Sequence, residues 1–190
     1  MATPTRNCEP RVRERQDALI ATNLRWLRQA LALLGRLSDA DYSTIPVGLA
    51  PHRAGSHLRH ILEFYECFLE GVESAHIDYD ARRRDEAVER SRSTAAARIH
   101  SIIHRLETMP ALRCDGAVWV RMEDTDPSEV LDSFLMSSVS RELQTLSSHT
   151  IHHFALISVT LLAHGVAVEP DFGMAPSTLR HLATRKAAAA

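Results

Sequence analysis

Apolar residues recur along most of this chain at the three-to-four-residue spacing of helices, not at the alternation of strands. Over residues 11–37, Leu19, Leu24, Leu27, Leu31 and Leu34 mark one face. The polar run Ser38-Asp39-Ala40-Asp41 then punctuates. A second stripe, Leu58, Ile61, Leu62, Tyr65, Phe68, Leu69 and Val72, predicts a helix over 54–73. Residues 77–85 read as a polar connection ending in Arg82-Arg83-Arg84-Asp85. A third helix is expected over 86–108, stopping ahead of Pro110 because a residue before proline disfavours the helical conformation. The fourth, 138–164, is the clearest, with Gly165 placed as its C-terminal stop. Residues 111–135 are the least helical, and 117–122 fits a short strand. A short helix is expected near 176–184.

Four long amphipathic helices, with one long connection between the third and fourth, predict an all-α four-helix bundle. Its expected organisation is a flexible N-terminus over 1–10, the bundle over 11–168, and a tail over 169–190. Phe172 is a large apolar residue among polar neighbours, which predicts that the tail folds back and buries it.

Composition changes this picture at few points. A chain of 190 residues is one domain by size and long enough to bury a core. A formal net charge of -2 argues against a nucleic-acid binder working by bulk electrostatics. The three cysteines, Cys8, Cys67 and Cys114, form no close pair, which suits a metal-ribbon or disulfide framework poorly and a reducing cytoplasm well. The start carries charge where a signal peptide needs an apolar run, and no stretch of about 18 apolar residues predicts a membrane span. There is no Gly-rich phosphate loop and no serine nucleophile motif. The oddity is eleven histidines.

On the fourth helix, His149 and His153 are four residues apart, one turn above the other and about 40° apart around the axis. That spacing lets two imidazoles reach one ion. Glu142, His149, His153 and Thr160 form a narrow polar stripe beside the apolar centre set by Leu143, Leu146, Phe154, Ile157 and Leu161, with Leu156 on its far side. A polar stripe enclosed by apolar residues is the pattern of a site inside a bundle. His152 falls near the opposite side and is expected in solvent. The competing interpretation, a chance pair of surface histidines, has an internal control. His100 and His104 share the spacing but lie more than about 90° from the centre of the apolar face set by Ile99, Ile102, Ile103 and Leu106.

A third ligand is available on the second helix, at His57 or His60. Around the axis His57 sits deeper, between Phe64 and Phe68, and His60 lies at the border near Cys67. Glu142 is placed to orient a ligand or act as a base, or else to serve as a helix-start carboxylate near the positive end of the dipole. Glu73 and His76 have the Glu-x-x-His spacing of di-iron bundles but occur once, at a helix end. Cys67 reads as a small core residue, and the Arg82–Arg84 run as a solvated loop.

The segment Gly55-Ser56-His57-Leu58-Arg59-His60-Ile61-Leu62 resembles the first motif of the DinB/YfiT-like family, in which a small residue near a helix start precedes a metal-binding histidine by five positions. The run His149-Thr150-Ile151-His152-His153-Phe154-Ala155 resembles its second motif. Phe154-Ala155 departs from the Arg-Gly pair often found there, which marks a divergent branch. The tail from Asp171 to Thr178 is similar to that of a subgroup of members. The resemblance implies a four-helix bundle, often a homodimer, that binds a divalent transition metal (zinc, nickel or iron) through His60, His149 and His153. His57 then supports the site or is an alternative ligand. The implied function is a metal-dependent thiol S-transferase or hydrolase acting on a small molecule. The alternatives are a metal- or small-ligand-binding protein without turnover, or a dimeric scaffold with a vestigial site.

Overall fold

Why the long apolar stripes become helices is plain from their ends. Pro10 opens α1 (Pro10–Arg36), where its missing N–H costs nothing. Ser38 and Asp41 form a reciprocal capping box on the short α2 (Asp39–Ser43). Helix α3 (Ala54–Gly71) follows, then strand β1 (His76–Asp78), α4 (Glu86–Arg90) and α5 (Arg92–Thr108). A 3-10 turn (Pro110–Arg113) leads into strand β2 (Ala117–Arg121), strand β3 (Leu135–Ser138), α6 (Val139–Ala163) and α7 (Pro176–Ala188). The computed structural model describes residues 9–122 and 134–188. Of the flexible terminus expected over 1–10, residues 1–8 lie outside them, as do residues 123–133 of the long connection and 189–190, while Pro10 already belongs to α1.

The protein is mostly helical. Helix α3 packs against α6 and α5, and α1 packs against the same two. Their facing stripes bury Leu27, Leu62, Phe68, Leu69, Ile99, Leu143, Phe154 and Leu161 almost completely. Each such side chain contributes roughly 1.5–3 kcal/mol relative to exposure. Polar cross-links fix the register of these helices. Asn23 Nδ2 donates to the Leu143 carbonyl at 3.0 Å, and its Oδ1 accepts from the Tyr65 hydroxyl at 2.7 Å. Trp26 Nε1 donates to Ser147 Oγ at 2.8 Å, and Gln16 Nε2 to Ser140 Oγ at 3.0 Å. Because a buried polar group without a partner is costly, these bonds penalise any slip of α1 along α6.

Two expectations need correction. The all-α expectation holds only roughly: a small three-stranded sheet in the order β1-β2-β3 accompanies the helices, with the strand read at 117–122 as its middle member. β1 runs parallel to β2 with His76 opposite Trp119, and β2 runs antiparallel to β3 with Ala117 opposite Ser138. The segment read as a polar connection alternates with period two: Ile77 and Tyr79 are buried, and their neighbours are not. The helix expected over 86–108 is broken at Ser91. Its extended backbone ends α4, and its hydroxyl caps α5 by accepting from Thr94 N–H at 3.2 Å. The break lets α4 fold onto the start of α3. A Cβ placed on Gly55 would lie 2.0 Å from the Glu89 carbonyl oxygen, so only glycine permits this approach.

Beyond α6 the chain turns back. Phe172 is buried and its ring stacks on Phe154, with centroids 4.4 Å apart and planes 15° apart. Gly173, at φ +68°, lies against the same Phe154. Helix α7 itself buries no side chain. No helix among the described residues is long and apolar enough to cross a membrane.

Candidate metal centre

Helices α3 and α6 pack against each other, and each contributes histidines to the site. His60 from α3 and His149 and His153 from α6 each present a ring nitrogen, and the three nitrogens lie within 4.8 Å of one another. Their ring centroids are 4.8 Å apart for His60–His149, 4.6 Å for His60–His153 and 4.5 Å for His149–His153. The i, i+4 spacing on α6 and the register set by Asn23, Tyr65 and Thr150 bring about this meeting. Thr150, next to His149, donates to the Tyr65 hydroxyl at 3.3 Å.

The walls are aromatic. Phe64 stacks on His149 at 4.0 Å and on Tyr79 at 4.9 Å, so β1's end and α3 close one side. Burial pushes His149 down to about 4 and His60 and His153 down to about 3, and neighbouring imidazoles lower them further. At neutral pH all three rings are therefore neutral, the form that donates a lone pair to a metal. His149 Nε2 is buried and has no hydrogen-bond partner. An orphaned buried nitrogen costs roughly 1–3 kcal/mol, which a metal bond removes. Three neutral imidazoles, one with a stranded lone pair or N–H, fit a borderline divalent transition ion.

His57 is buried, deeper than His60, as the helical wheel requires. It stays out of the three-nitrogen group. Its Nδ1 lies 3.2 Å from His153 Nδ1, a hydrogen bond between the two rings. Burial pushes His57 down to about 4, and the exposed His52 stacks on its face at 5.3 Å. His152 is exposed, as are His100 and His104.

Glu142 does not reach the histidines. Its buried carboxylate accepts from the Tyr79 hydroxyl at 2.9 Å and from Ser137 Oγ at 2.6 Å, tying α6 to the sheet. Tyr79 is thereby raised above the ordinary phenol range, chiefly by burial and then by the Glu142 charge. Glu73 and His76 are both exposed and form no site. Cys67 is half-buried, and burial pushes its thiol up to about 11, which makes it a poor nucleophile at neutral pH.

The expectation of a fully solvated arginine run fails at its first member. Arg83 and Arg84 are exposed, but Arg82 is only partly so, and its NH1 donates to His60 Nδ1 at 2.9 Å. Its guanidinium carbon lies 5.1 Å from the Phe64 ring centre. This contact joins residues 22 apart across a loop, and no local periodicity announces it.

No family model matches the chain. FK506-binding protein 5 of Rhizopus delemar is similar to it, 35% identical over 106 residues that make up 56% of this chain. Those residues span 27% of that protein, so the likeness covers about a quarter of the relative's length.

Proposed function

We propose that the chain is a DinB/YfiT-like four-helix bundle in which His60, His149 and His153 hold one divalent transition metal, and that it is a metal-dependent enzyme of the thiol-transfer or hydrolytic kind. The observation that carries the reading is the convergence of three neutral, half-buried imidazoles from α3 and α6 on one point, with His149 Nε2 left without a partner. When bound, the ion supplies Lewis acidity that activates a thiol or water at positions the three rings leave open. The chain's own residues do the rest. His57 holds the ring of His153 in orientation through the 3.2 Å contact, and Phe64 and Tyr79 exclude water from one side of the rings. His60 of the first resemblance motif and His149 and His153 of the second present ring nitrogens close together, which supports this reading. The partial likeness to an FK506-binding protein covers too little of that protein to bring its activity over.

Anaerobic purification without chelators, followed by elemental analysis, should find close to one transition-metal ion per chain. His149→Ala and His153→Ala should each lose it while keeping the helical circular dichroism of the parent. Metal-free preparations that take up zinc, nickel or ferrous iron no tighter than about millimolar would sink the reading. With metal established, a screen of thiols against electrophilic and hydrolysable small molecules tests the reaction class.

A further inference from the structure

Most of the arginines around this end of the fold are matched to carboxylates. Arg59 and Arg53 pair with Glu89, Arg83 with Glu70, and Arg98 with both Glu66 and Asp85. Arg82, among the described residues, pairs with no carboxylate. Its NH1 is spent on His60 Nδ1, and its Nε is buried without a hydrogen-bond partner. A guanidinium has donors only, so in this contact His60 Nδ1 must be the acceptor. A neutral imidazole has one lone pair, and Arg82 therefore occupies the one that His60 has.

A metal ion on His60 is incompatible with that bond, whichever nitrogen it uses. If the ion takes Nδ1, it takes the lone pair that Arg82 occupies. If it takes Nε2, the proton must reside on Nδ1 and would point at an N–H donor. In either case the guanidinium is released beside a newly arrived cation, over the face of Phe64. Two positive groups side by side, one of them planar and lacking a carboxylate, suit an anion that bridges them. A planar fork matches a carboxylate in a bidentate manner. A single planar fork without a glycine-rich loop suits the monoanion better than a phosphate.

We propose that Arg82 is the anion-binding arm of this site, held on His60 in the metal-free protein and released by metal binding to receive the carboxylate of the substrate. The proposal rests on the metal reading above and adds the class of ligand.

The test uses the full chain loaded with cobalt(II), whose visible absorption reports both metal uptake and the arrival of a ligand anion, with acetate as probe. Arg82→Gln should bind cobalt at least as tightly as the parent, because nothing then competes for His60. Its acetate dissociation constant should rise about tenfold or more, the loss expected for a charge-assisted hydrogen bond. Arg82→Lys keeps the charge without the fork. It should fold like the parent and bind acetate with intermediate strength. Equal acetate affinity in all three proteins overturns the proposal, and so does weaker cobalt binding in Arg82→Gln, which would make Arg82 a support of the metal site. A parent protein that takes up no cobalt refutes the metal reading itself, and this proposal falls with it.

Discussion

Gly55→Ala sets two effects of opposite sign against each other. Alanine replaces glycine at the second position of α3, where intrinsic helix propensity favours alanine by at most about 1 kcal/mol. Against this stands the close approach of α4. The new Cβ would lie 2.0 Å from the Glu89 carbonyl oxygen and 3.0 Å from Tyr42 Cε1. To restore an ordinary contact the two backbones must part by roughly 1.5 Å. Neither neighbour is free to yield. The Tyr42 hydroxyl donates to the Val88 carbonyl at 2.7 Å, and the Glu89 side chain is clamped by Arg53 and Arg59. Overpacking of this kind costs roughly 1–3 kcal/mol, so the clash wins. The expected net loss is about 1–2 kcal/mol, a fall in Tm of about 2–8 °C for a chain of this size. His57 and His60 lie two and five residues further along the same helix, so the displacement should also weaken metal binding. Thermal melts of metal-free protein by circular dichroism, with a cobalt titration alongside, measure both. A Tm equal to or above the parent's would refute the reasoning, because propensity alone would then govern the site.

His60→Ala should abolish tight metal binding, whereas His57→Ala should weaken it only about 10–100-fold, as for groups that orient a ligand; a titration showing the reverse ranking would make His57 the ligand. Phe172→Ala removes a buried ring stacked on Phe154 and should destabilise the fold by about 2–4 kcal/mol, seen as a Tm lower by several degrees. An unchanged melt would mean the tail is not anchored there. The metal-free protein should also lose stability in acid. His57, His60, His149 and His153 titrate near 3 to 4 when folded, below the ordinary 6.5, so the unfolded chain takes up protons first as pH falls. Their contribution is complete above about pH 6.5 and declines from there toward pH 3 to 4. A Tm that stays flat between pH 7 and 4.5 would contradict this.

What the sequence disclosed of the fold and the site follows from the range over which each feature acts. The long helices announce themselves because their apolar stripes repeat over many turns, and His149 and His153 stand out because one helix alone sets their relation. The polar stripe on α6 is legible for the same reason. The strand at 117–122 was legible, but the sheet it joins was hidden because β1 is three residues long and half polar and lies some forty residues away. Ser91 breaks a helix in which nearly every other residue favours continuation; what decides is tertiary, the fit of Glu89 over Gly55. The choice between His57 and His60 shows the limit most clearly. Burial around one axis ranks His57 deeper, and it is deeper, yet it is His60 that comes within reach of both α6 histidines. Depth on one helix does not define the point where two helices converge.

That point also explains why so many uncharged polar groups sit at the centre of this molecule without carboxylates beside them. A carboxylate hydrogen-bonded to the imidazoles would raise their proton affinity and keep some of them charged near neutral pH. Here the two buried carboxylates close in sequence are drawn away, Glu142 to Tyr79 and Ser137 and Glu63 to the Asp85 backbone N–H. The rings instead face aromatic walls, one another and the guanidinium of Arg82, and each of these disfavours the imidazolium. The cluster is therefore held in the lone-pair form well below neutral pH. Its rings repel protons by burial and by mutual charge, and a divalent ion is the species that can turn several such lone pairs from a cost into a set of bonds.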